Sequence, residues 1–133
     1  MANKIVVLMV GILAICCLAS VVNAAQGTAT FYTRSPVPSS CYGNENKGVM
    51  IAAASAAVFE NGRACGRRYR VTCIGGTNAT PNPCKGGSVD VTIVDYCPPG
   101  CAATLDLSQE AFARIANPDA GKVRIEYNQN SIV

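Results

Sequence analysis

Six cysteines in about 109 residues, all downstream of an apolar leader, constrain this chain more than any other feature. Lys4 precedes an uncharged apolar run from Ile5 to Val22, which closes in the small residues of Val22-Asn23-Ala24. A basic start, an apolar core and a small-residue cleavage site read as a secretory signal over residues 1–24. The run is almost long enough for a membrane anchor. The cleavage site and the polar sequence after it favour removal, with no membrane insertion afterwards. Cys16 and Cys17 leave with the signal. Cys41, Cys65, Cys73, Cys84, Cys97 and Cys101 then belong to one secreted domain, residues 25–133. An even number in an oxidising compartment implies three disulfides. A domain of this size has a limited core, and each bridge adds about 2–4 kcal/mol. Zinc needs ligand pairs at short spacing. Only Cys97 and Cys101 approach that, and the chain has no histidine, so no metal and no cofactor are expected.

Absent residues exclude whole chemistries. Without histidine, Ser-His-Asp and Cys-His nucleophilic catalysis are ruled out. Without tryptophan, the strongest sugar-stacking side chain is missing. The net charge is about +2 once Lys4 is set aside, and the basic residues cluster at Arg63, Arg67, Arg68 and Arg70. The plain reading of that cluster is a solvated strand face; the functional one is a receptor surface. A secreted chain with only Tyr69 among its arginines is not expected to bind nucleic acid.

Several short segments alternate with the period of two that marks strands. Gly27 to Thr33 is rich in strand formers. Arg68 to Cys73 sets Tyr69, Val71 and Cys73 against Arg68, Arg70 and Thr72. Ser88 to Val94 sets Val89, Val91 and Ile93 against Ser88, Asp90 and Thr92. Lys122 to Tyr127 sets Val123, Ile125 and Tyr127 against Lys122, Arg124 and Glu126. Met50 to Val58 is alanine-rich and fits a strand or a short helix. Ser35–Ser40, Gly75–Gly87 and Pro98–Gly100 read as loops. One helix is well signalled. Ser108 caps it, Leu107 and Phe112 have the spacing of a hydrophobic staple, and Ala111, Phe112, Ile115 and Ala116 form its apolar stripe. Asn117-Pro118 ends it. Asn78-Ala79-Thr80 is an N-glycosylation sequon, directly followed by Pro81.

Read together, several segments resemble the first domain of expansins. They are Gly27-Thr28-Ala29-Thr30-Phe31-Tyr32, Cys41-Tyr42-Gly43-Asn44, Ala64-Cys65-Gly66, and Leu105-Asp106-Leu107-Ser108 with Ala111-Phe112. The resemblance implies an all-β fold, a six-stranded double-psi β-barrel with one or two short helices, stabilised by disulfides. Asn61-Gly62-Arg63-Ala64-Cys65-Gly66-Arg67-Arg68-Tyr69-Arg70-Val71 is similar to the small one-domain relatives, the plant natriuretic peptides and citrus-blight-associated-type proteins. That likeness implies a secreted, non-enzymatic regulator of water and solute balance in the apoplast, working as a monomer. Its partner would be a cell-surface receptor or a cell-wall polysaccharide. The expansin pattern further implies Cys41–Cys65 and Cys73–Cys84 bridges and leaves Cys97–Cys101 to close a tight loop. Arg68 stands where expansins have another cysteine, whose partner is also missing here.

The same resemblance maps a site onto Thr30, Asp95 and Asp106. Glycoside hydrolysis normally needs two carboxyl groups. Related hydrolases carry one on the first strand, and Gly27 to Thr33 has none. Hydrolysis is therefore not expected, and the three residues read as a relic or a ligand groove. The structural alternatives are an Asp106 carboxylate satisfying amides at the helix start and an Asp95 side chain initiating the turn into Cys97-Pro98-Pro99. Wall loosening, or a barwin-like carbohydrate-binding defence role, are the alternative functions. An ending directly after the last strand is expected to leave no second, polysaccharide-gripping domain.

Overall fold

The computed structural model describes residues 24–77 and 80–130. The signal-peptide residues before Ala24 and the sequon residue Asn78 lie outside the described residues. Six strands carry the fold: β1 (Ala25–Tyr32), β2 (Ile51–Ser55), β3 (Arg68–Gly76), β4 (Ser88–Cys97), β5 (Leu105–Ser108) and β6 (Val123–Gln129). Helix α1 (Ala56–Phe59) follows β2, and α2 (Gln109–Ile115) follows β5. The strands close into a barrel in the order β1-β5-β2-β4-β3-β6. The pairs β1–β5 and β2–β4 are parallel; the others are antiparallel.

The period of two decides which side chains fill the barrel. Val71, Val91, Ile93, Val123 and Ile125 are fully or almost fully buried, while Arg68, Arg70 and Arg124 on the alternate positions are exposed. Helix α2 closes one side of this core. Ser108 accepts the Ala111 N–H at 3.1 Å as its N-cap, and Phe112, wholly buried, packs its ring 4.8 Å from that of Phe31. The alanine-rich Met50–Val58 segment divides into β2 and α1 at Ser55. Strand β3 continues to Gly76, past the expected loop start at Gly75, because β6 pairs with it through a bulge. A Cβ at Gly75 would stand 2.4 Å from the Arg124 guanidinium, the far end of an exposed side chain that can swing aside.

The three bridges are Cys41–Cys65, Cys73–Cys84 and Cys97–Cys101. Cys73–Cys84 ties β3 to the segment that pins the end of α2, where Lys85 N–H reaches the Ile115 carbonyl at 2.8 Å. Cys41–Cys65 ties the long β1–β2 loop to the turn before β3.

Candidate functional site

Strand register assembles the site. Thr30 on β1 lies opposite Asp106 on β5, Asp106 opposite Ala53 on β2, and Ala53 opposite Asp95 on β4. The three residues singled out from sequence therefore share one row across four neighbouring strands. A bulge makes this so. Between Ala52–Ile93 and Ala53–Asp95 the register skips Val94, which turns Asp95 onto the same side as Asp106. The carbonyls at the bulge are used elsewhere. Val94 O accepts the Cys41 N–H at 3.0 Å, and Ile93 O accepts the Gly66 N–H at 2.9 Å. The Cys41–Cys65 bridge thus closes over the bulge and holds it.

The two aspartates have different surroundings. Asp106 is 9% exposed, and one carboxylate oxygen accepts the Thr30 hydroxyl at 3.0 Å. Burial pushes its carboxyl above the ordinary range. The Thr30 hydrogen bond and the Arg34 charge oppose that, and the Asp95 charge adds to it. Asp106 does not satisfy the helix start; Ser108 does, two residues on. Asp95 turns inward to backbone. Its Oδ1 accepts the Ser40 N–H and the Tyr96 N–H, each at 2.9 Å. It fastens the β1–β2 loop from within β4 rather than starting the turn into Pro98. With β2 between them, the backbones of the two aspartates stand roughly 10 Å apart.

An open groove of about 640 Å³ lies over Asp106. Thr30, Phe31 and Arg34 line one side, and the loop from Cys97 to Ala102 forms the other. A second cavity of about 240 Å³ adjoins it, lined by Tyr32, Arg34, Val49 and Glu110 among others, so Arg34 belongs to both. Its guanidinium sits 5.2 Å from the Tyr32 ring centroid. The Tyr32 hydroxyl is pushed up to about 12, first by burial and then by the Asp106 and Asp95 charges. Chemically the groove offers the Asp106 carboxyl, the Thr30 hydroxyl and one cation, Arg34, along an open channel, a set suited to hydrogen-bonding a polyhydroxylated chain.

Arg34 was not among the residues that sequence reasoning singled out. The available signal was its position two residues after Tyr32, at the bend where β1 gives way to the loop. Arg63, Arg67, Arg68 and Arg70 line neither cavity. Arg67 pairs with Glu60 at 3.4 Å and Arg70 with Asp90 at 3.0 Å. Among the described residues, no three potential metal-ligating side chains cluster.

A closed six-stranded barrel with a groove over Asp106 defines a class, and its relatives specify it. The family model that matches, over residues 51–127, is described as "Lytic transglycolase". An "EG45-like domain containing protein" of Citrus jambhiri is 60% identical over 92% of this chain and 95% of its own length. Expansin-A21 of Arabidopsis thaliana is 37% identical over 66% of this chain, which spans 36% of that protein. A mutant expansin of Clavibacter michiganensis, solved in complex with cellohexaose, superposes with a TM-score of 0.65 at 28% identity, covering 82% of this chain and 51% of its own. The chain belongs to the matched family and, within it, to the EG45-like domain proteins, relatives of the expansins.

Proposed function

We propose that this protein is secreted, carries a double-psi barrel, and binds β-linked cell-wall polysaccharide along the Asp106 groove without hydrolysing it. The two parallel strand pairs support the double-psi topology. The observation that carries the function is the unequal pair of aspartates. One protonatable carboxyl faces an open groove, while the second carboxylate is engaged by two backbone amides. Hydrolysis needs both an acid and a base or nucleophile; gripping sugar hydroxyls needs only donors and acceptors along a channel. The cellohexaose bound by the bacterial relative supports the ligand class. The first strand begins at Ala25, the residue that follows the expected cleavage site, which supports the secretory reading.

The test is retention on insoluble β-1,4-glucan together with calorimetry against cellohexaose. Binding without release of reducing ends is expected, with roughly a tenfold loss in Arg34→Ala. No binding by the native protein would overturn the proposal.

Regulation of water and solute balance through a receptor is the second reading. Arg63, Arg68 and Arg70 are exposed and stand outside the groove, beside the turn fastened by Cys41–Cys65. It predicts that a peptide from Pro36 to Arg67, with its bridge closed, changes protoplast volume. An inert peptide and an inert whole protein would end that reading.

A further inference from the structure

One wall of the groove is a loop with few ties. Residues 98–104 join β4 to β5, and Pro98, Pro99, Gly100 and Ala102 are exposed. Neither proline has an N–H to donate. Within the loop, Cys101 N–H reaches the Pro98 carbonyl at 2.9 Å, and the chain is next fastened at Thr104, whose N–H reaches the Thr28 carbonyl at 3.0 Å. The Cys97–Cys101 bridge closes this loop. Cys97, at the end of β4, is 6% exposed, whereas Cys101 is half-buried at the groove.

We propose that Cys97–Cys101 is a thiol-exchange site for a small dithiol, and that its reduction slackens the groove wall and weakens glycan binding. The second half rests on the binding function proposed above. Location points here. The barrel and its bulge keep the partners of the other two bridges facing each other after reduction, which favours their re-formation, whereas Cys101 sits in a loop with few ties and moves away from Cys97 once the bridge opens. The other two bridges fasten strands or the β4 bulge, whereas this one fastens only the wall.

The exchange runs in two steps. A thiolate of the dithiol attacks the more exposed Cys101 Sγ. The Cys97 sulfur leaves as a thiolate and takes a proton from water. The second thiol of the reductant then attacks the mixed disulfide, releasing the Cys101 thiol and a cyclic disulfide. Two electrons pass from the dithiol to the bridge, and oxidation of the two cysteines restores it.

The experiment titrates the folded full-length protein with dithiothreitol, quenches with iodoacetamide and maps alkylation by mass spectrometry. Cys97 and Cys101 are expected to label at lower reductant than Cys41, Cys65, Cys73 and Cys84, because the loop holds Cys101 less firmly than the barrel holds the other four. Cellohexaose binding is then measured on oxidised protein, on selectively reduced protein and on Cys97→Ala/Cys101→Ala, with circular dichroism to establish that the barrel persists. Affinity about tenfold weaker is expected in the last two, from the lost preorganisation of the wall. Opening of either other bridge first, or of all three together, overturns the exchange site. Equal affinity in oxidised and reduced protein overturns the control of binding. If oxidised protein binds no cellohexaose, the proposed function fails and the control of binding falls with it, while the order of alkylation still decides the exchange site.

Discussion

Replacing Thr30 by valine removes one hydroxyl and keeps the shape of the side chain. The lost interaction is a 3.0 Å hydrogen bond to a carboxylate that is 9% exposed. Hydrogen bonds to charged groups contribute about 1.5–3 kcal/mol net. Thr30 is itself half-buried, so the lower part of that range applies, about 1.5–2 kcal/mol. For a domain of about 110 residues this corresponds to a Tm lower by about 6–8 °C. In an Asp106→Asn background the acceptor is a neutral amide oxygen, and the same substitution costs about 0.5–1 kcal/mol. The double-mutant cycle then yields a coupling of about 1 kcal/mol at pH 7. At pH 3 Asp106 in the otherwise unchanged protein is protonated, and the coupling shrinks toward zero. Thermal melts followed by circular dichroism at both pH values measure all four corners. A Thr30→Val cost that is the same in both backgrounds and at both pH values would refute a charge-assisted bond and leave Thr30 an ordinary strand threonine.

Two further outcomes follow from the same geometry. Because burial raises the Asp106 carboxyl, ionisation works against folding: the stability contributed by the protonated form is present at low pH and is lost as pH rises through the folded-state value. Asp106→Asn is therefore expected to be more stable than the native protein at pH 7, with the gain fading as pH falls below the ordinary carboxylate range; urea denaturation showing an equal gain at pH 3 and pH 7 would contradict this. At Gly27 a Cβ would stand 2.3 Å from Thr104 Oγ1, the acceptor of the Thr28 N–H at 3.0 Å, so Gly27→Ala is expected to cost about 1–3 kcal/mol by overpacking. An unchanged midpoint in guanidinium unfolding would show that β1 and Thr104 separate freely.

Where burial and local chemistry coincide, the sequence was legible. The α2 helix has its cap, its staple and its apolar stripe within a few residues, so its start at Ser108 needed no tertiary information. The alternation in β3, β4 and β6 likewise marked their inner faces. Strand β5 shows the same alternation in Leu105-Asp106-Leu107-Ser108, but over only four residues, and strands on both sides leave its polar pair buried as well. The division of Met50–Val58 was hidden, since alanine favours helix and Ala52–Ala54 form a strand only because β4 and β5 flank them.

Composition and spacing were enough to establish a small all-β domain with three bridges and no histidine chemistry, because each is a local or counting property of the chain. The character of the two aspartates was not. Asp95 and Asp106 look alike in sequence, eleven positions apart around a proline corner. Only the bulge at Val94 puts them on one row, only the Ser40 and Tyr96 amides engage Asp95, and only barrel closure buries Asp106 beneath a groove. Register across strands and the dielectric around a carboxylate are set by residues distant in the chain, so a pair that suggests acid–base catalysis in one dimension becomes a structural tether and a groove-facing acid in three.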